Sequence, residues 1–341
     1  MIKYPDKLKE NDVIGIAAVS DGANLKKIDS SISNFNHLGF KVVETENVRN
    51  SNKFVSTSGK ARAQEFMQLW QNKDVKYIIS ARGGEFLMEM LPYLDEYSNL
   101  IRITNPIKWV QGYSDPSLLL FYLTTKYNIA TIHGENVGEF AMELDHFHDG
   151  LKNIISFLKS NDREFVQNSY DKYQLEEFEE GNMSGYNLTE KVEYKLFGSM
   201  DKEISVEGRM IGGCIEAITP IIGTKFDHCQ KFCCQFDEGM IWYLDNYELN
   251  AVKFYIKLWQ MRQAGWFDNV NAFLIGRTFG GASLGEFTYL DALRNALYDL
   301  NVPIIYDADI GHVSPQISVI NGSYGKIEYN NGKMKLIQKM I

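Results

Sequence analysis

Short apolar runs of strand length alternate with helix-patterned segments through the first half of the chain, and no other feature restricts the fold as much. Residues 12–19 form an apolar run closed by Ser20-Asp21-Gly22, 26–38 have helical spacing, and 40–43 are strand-like again. A helix over 61–71, with Ala, Phe, Met, Leu and Trp at helical intervals, leads to a strand at 77–80. Further on, 85–94 read as helix and 129–133 as strand. Strand runs separated by helices in this way predict a parallel sheet with right-handed crossovers. In such sheets ligands collect beyond the carboxyl ends of the strands.

The second half continues the alternation and closes differently. A glycine-rich turn at 208–213 is expected to open a helix over 215–222. Strands at 240–244, 272–276 and 303–306 alternate with helices at 251–264 and 290–300. The last segments, 317–320, 325–328 and 334–337, read as short β-strands with turns at Asn321-Gly322 and Asn331-Gly332. Between the halves, 160–207 is polar and turn-rich, with Tyr170, Tyr173, Tyr186 and Tyr194 scattered through it. Its acidic run, 176–181, is expected to be a solvated face. A chain of 341 residues exceeds what one core usually organises. The expected fold class is therefore α/β: an N-terminal parallel-sheet domain over 1–160, a connecting segment over 161–207 that carries short strands, and a C-terminal mixed α/β domain over 208–341.

Composition excludes several function classes. The net charge is -9, and no Lys/Arg cluster stands out that would neutralise phosphates, so no nucleic-acid partner is expected. No run of about 18 apolar residues exists, which argues against a spanning helix and a membrane partner. Residues 1–10 lack the apolar stretch of a secretion signal, and a cytoplasmic location is expected. In that compartment the N-x-S/T matches at Asn182, Asn187 and Asn321 carry no meaning. Cys214, Cys229, Cys233 and Cys234 are too few and too clustered for a disulfide framework. His228 with the last three cysteines fits no usual zinc spacing, so no metal is expected. Neither G-x-G-x-x-G after the first strand nor G-x-x-x-x-G-K-[ST] occurs, which argues against a sugar- or nucleotide-binding α/β protein.

The residues that can carry chemistry sit at strand ends. In 109–120 an apolar run ends at Tyr113 and a helix-like run begins near Pro116, placing Ser114 at the corner. A hydroxyl there is either a nucleophile, beside the amides of the following helix, or a helix N-cap. Ala81-Arg-Gly-Gly-Glu85 follows the strand at 77–80; its glycines let backbone N–H groups approach a ligand, or simply make the turn. Asp245 ends another apolar strand, with Glu248 three residues on, and His312 lies just beyond the strand at 303–306. His133, also at a strand end, is a second candidate base or a structural residue. A serine hydroxyl attacks only when an imidazole takes its proton, and the imidazole needs a carboxylate to fix its tautomer and stabilise its charge. The chain order Ser114, Asp245, His312 is one of those in which such triads occur.

Taken together, Asp12-Val-Ile-Gly-Ile, Arg82-Gly-Gly, Gly112-Tyr-Ser-Asp115, His133-Gly134, Gly212-Gly-Cys-Ile-Glu216, Gly223-Thr224, Ile241-Trp-Tyr-Leu-Asp245 and Asp309-Ile-Gly-His312 resemble the LD-carboxypeptidase (peptidase S66) family. The motifs run in order nearly end to end, and their form is most like the microcin-immunity-like branch. The resemblance implies a serine peptidase in which Ser114 is the nucleophile, His312 the general base, and the N–H groups of Gly84 and Asp115 the oxyanion hole. The family's acid is usually a glutamate at the position of Asp245, which is one methylene shorter, and Glu248 is the alternative acid. Arg82 is a candidate for a substrate carboxylate. The resemblance further implies a homodimer that needs no metal or cofactor and acts on a small peptide or peptide-nucleotide. The substrate is either a muropeptide, shortened at its terminal D-residue, or a microcin-like conjugate. A binding protein that has kept the cleft without the activity is the alternative.

Overall fold

The computed structural model describes residues 1–176, 184–198 and 202–341. Its first half alternates as the apolar runs predict: β1 (Val13–Ala17), α1 (Ile28–His37), β2 (Lys41–Glu44), α2 (Gly59–Gln71), β3 (Val75–Ser80), α3 (Leu91–Glu96), α4 (Ser98–Ile103), β4 (Trp109–Gly112), α5 (Ser117–Tyr127), β5 (Thr131–His133) and α6 (Asp149–Lys159). The helix expected over 85–94 is split, because a 3₁₀ turn at Leu87–Met90 precedes α3 and Pro92 sits in the first turn of α3. Strands β5-β4-β3-β1-β2 lie side by side and parallel.

The segment expected to connect the domains carries β6 (Glu164–Asn168), the small ladder of β7 (Lys172–Tyr173) with β8 (Glu190–Lys191), and β9 (Lys195–Leu196). The acidic run at 176–181, apart from Glu176, and Asn182 lie outside the described residues. The second sheet is built from β10 (Glu203–Cys214), β11 (Met240–Asp245), β12 (Val270–Gly276) and β13 (Ile304–Ala308), all parallel. Helices α7 (Ile215–Ile218), α8 (Cys229–Cys233), α9 (Ala251–Gln263) and α10 (Tyr289–Leu297) fall among them. On one flank β10 is extended by antiparallel β15 (Tyr324–Asn330), β16 (Lys333–Lys339) and β6; on the other, β13 is extended by β9. Asn331-Gly332, with φ of 46° and 81°, turns β15 into β16.

Two expectations are corrected. The glycines at 208–213 form no turn; they are the second half of β10, which runs unbroken from Glu203 to Cys214. They mark close approach instead: a Cβ on Gly213 would stand 2.9 Å from Ser117 Cβ at the start of α5, and one on Gly212 would overlap the Tyr243 carbonyl of β11. The helix expected over 215–222 is correspondingly short, α7 followed by a 3₁₀ turn at Thr219–Ile221 that contains Pro220. The strand expected at 317–320 is β14 (Val319–Asn321), and it joins the first sheet rather than the second, antiparallel to β5 with Val319 opposite His133.

Helix α5 is where the two sheets meet. Ten of its eleven residues are buried, all but Lys126, because β5 packs one side and β10, α7 and α8 the other. A helix covered all round needs no polar face, which is why Ser-Leu-Leu-Leu-Phe-Tyr-Leu reads as nearly uniform apolar sequence. Phe121 stacks on Trp266 at 5.0 Å between ring centres, and Trp266 in turn lies against Trp242 of β11. One continuous apolar core therefore runs from the first sheet through α5 into the second.

Candidate active site

The turn after β4 holds Ser114 with φ +65°, a left-handed conformation unusual for a residue with a Cβ. The serine does not cap α5 through its side chain; its carbonyl instead accepts from Ser117 N–H at 2.9 Å. Gly112 is required just before it, since a Cβ there would crowd Pro116, Asn136 and Ser80 at 2.9–3.0 Å. The result is a sharp strand-to-helix corner that presents the hydroxyl above the first sheet.

Asp115 is buried and acts within this corner: its carboxylate accepts from Ser20 Oγ and from Leu87 N–H, the latter at 2.8 Å. Burial raises its pKa, opposed by those hydrogen bonds and by Arg62. The carboxylate thus fastens the serine turn to the segment after β3. There Gly83 passes so close that a Cβ would stand 2.9 Å from Ser114 Oγ, and a Cβ on Gly84 would overlap Ser20 Oγ.

From the second sheet come the other two groups. Asp245 ends β11, fully buried, and His312 follows β13 on a loop held by Asp309. Asp309 pairs with Arg277 at 3.0 Å and accepts from Tyr170 N–H at 2.9 Å. His312 Nε2 lies 3.0 Å from Ser114 Oγ, and its Nδ1 lies 2.7 Å from Asp245 Oδ2. The backbone N–H of His312 also donates to Asp245 Oδ1, at 3.4 Å. Gly311, with φ +88°, makes room for this carboxylate, because a Cβ at that position would fall inside it. Two tyrosines clamp the imidazole: Tyr247 stacks on it at 4.3 Å and Tyr113 meets it edge-on at 5.2 Å. Sequence reading overlooked both, although each adjoins a chosen residue, Tyr113 beside Ser114 and Tyr247 two places after Asp245.

The remaining candidates fall elsewhere. Glu248 is exposed and lines a small pocket with Glu216, so the carboxylate that reaches His312 is that of Asp245. Arg82 lines the main cleft and pairs with Asp21 at 3.8 Å. Cys229 and Cys233 bury their sulfurs 3.8 Å apart in α8, while Cys234 is exposed. Among the described residues, the metal-ligand atoms that converge are those of Cys214, Asp245 and His312, and two of these residues already share a hydrogen bond.

His133 is fully buried, 3.3 Å from Ser117 Oγ and packed on Tyr243, and does not reach Ser114's hydroxyl side as His312 does. Burial lowers its pKa to about 4, with Asp245 opposing and His312 assisting. Between the unfolded value near 6.5 and about 4 the unfolded chain binds the proton first, so this residue's contribution to stability is lost as pH falls through that window. Its loss is about 3 kcal/mol at most. In urea titrations from pH 7 to 4, His133→Asn should therefore lose stability less steeply than wild type; equal slopes would remove the assignment.

Two family models match the chain: the LD-carboxypeptidase N-terminal domain over residues 14–134 and the LD-carboxypeptidase C-terminal domain over 207–327. The chain belongs to the LD-carboxypeptidase family. It is 26% identical over 313 residues to the microcin C7 self-immunity protein MccF of Escherichia coli, covering 89% of this chain and 86% of that one. It is 21% identical over 322 residues to a Bacillus subtilis protein named "Probable murein peptide carboxypeptidase", covering 94% and 89%. A structure of MccF in complex with glutamyl sulfamoyl guanosine shares the fold with a TM-score of 0.83 at 22% identity, over 98% of each chain. As an LD-carboxypeptidase family member the chain is placed among peptide hydrolases. No helix among its described residues is long and apolar enough to cross a membrane.

Proposed function

We propose that this family member is a serine hydrolase of the carboxypeptidase type that opens an amide-like acyl bond through Ser114, His312 and Asp245. The observation that carries the reading is the unbroken chain of contacts from Asp245 Oδ2 through the imidazole to Ser114 Oγ, 2.7 and 3.0 Å, assembled from two sheets. His312 takes the hydroxyl proton as Ser114 Oγ bonds to the acyl carbon, and Asp245 stabilises the imidazolium. The backbone N–H groups of Gly84 and Asp115 receive the oxyanion, each contributing roughly 3 to 4 kcal/mol when well aimed. His312 then returns the proton to the leaving nitrogen, and water attacks the acyl-enzyme by the same route.

The substrate class proposed is a peptide-nucleotide conjugate or its aminoacyl form. Support comes from the MccF relative and from the main cleft, about 400 Å³, where Tyr247 and Phe279 offer flat faces and Lys27 and Arg82 offer positive charge. Mass spectrometry of the purified protein with an aminoacyl sulfamoyl adenosine is expected to show sulfamoyl adenosine and the free amino acid. Shortening of a muropeptide tetrapeptide alone would move the substrate to murein peptides. Turnover of neither, with no fluorophosphonate adduct on Ser114, would leave a binding protein.

A further inference from the structure

The Ser114 hydroxyl faces two cavities. The main cleft is lined by His312, Tyr113 and Tyr247 and carries charge of both signs, Lys27 and Arg82 with Asp21, Glu85 and Glu139. The small pocket, about 60 Å³, is lined by Ser114 and Gly84, by Met88, Ala217 and Pro220, and by four acidic residues, Glu85, Asp115, Glu216 and Glu248. No Lys or Arg lines it, and neither does His312. Because the imidazole must hand its proton to the departing group, that group lies in the main cleft beside His312. The acyl group consequently extends toward the small pocket.

Glu216 is built for presentation. Its Oε1 is fixed by the backbone N–H groups of Tyr247 and Glu248, at 2.9 and 3.0 Å, while Oε2 accepts from the weakly donating Cys214 thiol, at 3.3 Å. That geometry locks one oxygen, and the other, held by a weak donor, can accept from a ligand. Burial, and then the neighbouring acid Asp245, raise the Glu216 pKa; burial and the acids Asp115, Glu248 and Glu216 raise that of Glu85. Acidic side chains thus converge here with no Lys or Arg in the wall.

Resting on the hydrolase reading above, we propose that Glu216, with Glu85 and Glu248, selects acyl groups that end in a primary ammonium. A space of about 60 Å³ holds roughly two waters' volume, enough for an ammonium and its last methylenes. The apolar walls of Met88, Ala217 and Pro220 suit such a stem, as amphipathic lysine-like chains require.

The test separates this selectivity from catalysis by measuring binding to the Ser114→Ala protein calorimetrically. Probes are lysyl, N6-acetyl-lysyl and glutamyl groups, each on sulfamoyl adenosine and as the penultimate residue of a tetrapeptide ending in D-alanine. On the scaffold that binds, the lysyl probe should bind at least about tenfold tighter than its acetylated form, and Glu216→Gln should cut that ratio to about threefold or less. Glu248→Gln, at an exposed position, supplies the second variant should Glu216→Gln unfold. Equal binding of the lysyl and acetyl-lysyl probes, tighter glutamyl binding, or no binding of any probe overturns the proposal. Hydrolysis by wild type without charge preference would overturn it and leave the triad standing; charge-selective binding without hydrolysis would do the reverse.

Discussion

Ser114→Ala is expected to lower turnover by about a million-fold, the scale seen when the nucleophile of a serine triad is removed. It should also abolish labelling by a fluorophosphonate. The amides of Gly84 and Asp115 and both cavities persist in the variant, so binding should survive and the remaining rate should stay above that in water. Folding should be unaffected, because alanine meets the same left-handed conformation at φ +65° and no hydrogen bond holding the corner passes through the lost oxygen: the Asp115 carboxylate accepts those from Ser20 Oγ and Leu87 N–H. An adduct on a different residue, or turnover within tenfold of wild type, would displace Ser114 from the mechanism.

The second large effect concerns the acid. Asp245→Asn should lower kcat by about ten thousand-fold, since an amide facing His312 Nδ1 favours the wrong tautomer and cannot stabilise the imidazolium. Both oxygens of Asp245 are engaged with His312, one at the ring and one at its backbone N–H, so the substitution disturbs orientation as well as charge. Glu248→Gln faces a different cavity and should act chiefly through KM, by about tenfold at most. The reverse pattern in steady-state kinetics would make Glu248 the acid. The loop after β13 comes so close to Asp245 that only a glycine at 311 leaves space for its carboxylate.

Much of this was legible in the sequence because the alternation of apolar runs registers burial directly. Strands β1, β3, β4 and β11 are largely apolar and buried, and each was placed within a few residues. What misled was glycine, which signals either a turn or a close contact. At 208–213 the contact prevailed, since β10 must let Ser117 and the Tyr243 backbone approach. Sheet membership of β14 was illegible for a different reason: Val319–Asn321 alternates like any short strand, and nothing local says which of two sheets has an open edge. Ser114, Asp245 and His312, which the structure brings together, were singled out because each lies at or just beyond a strand end. Tyr113, Tyr247 and the carboxylate cluster around Glu216 were missed because they matter through contacts between distant segments.

Strand β14 has a consequence for the order in which the chain acquires its shape. The first sheet, with Ser114 at its rim, draws its edge partner for β5 from residues 319–321, just past the loop that delivers His312. During synthesis the N-terminal part emerges with that edge of β5 exposed, and it stays exposed until residues 319–321 have been made. Closing the edge and delivering the imidazole are consecutive events along the same few residues. The turn that holds Ser114 therefore meets His312 only as β14 pairs with β5, and a chain made only as far as β13 has the serine corner without the imidazole.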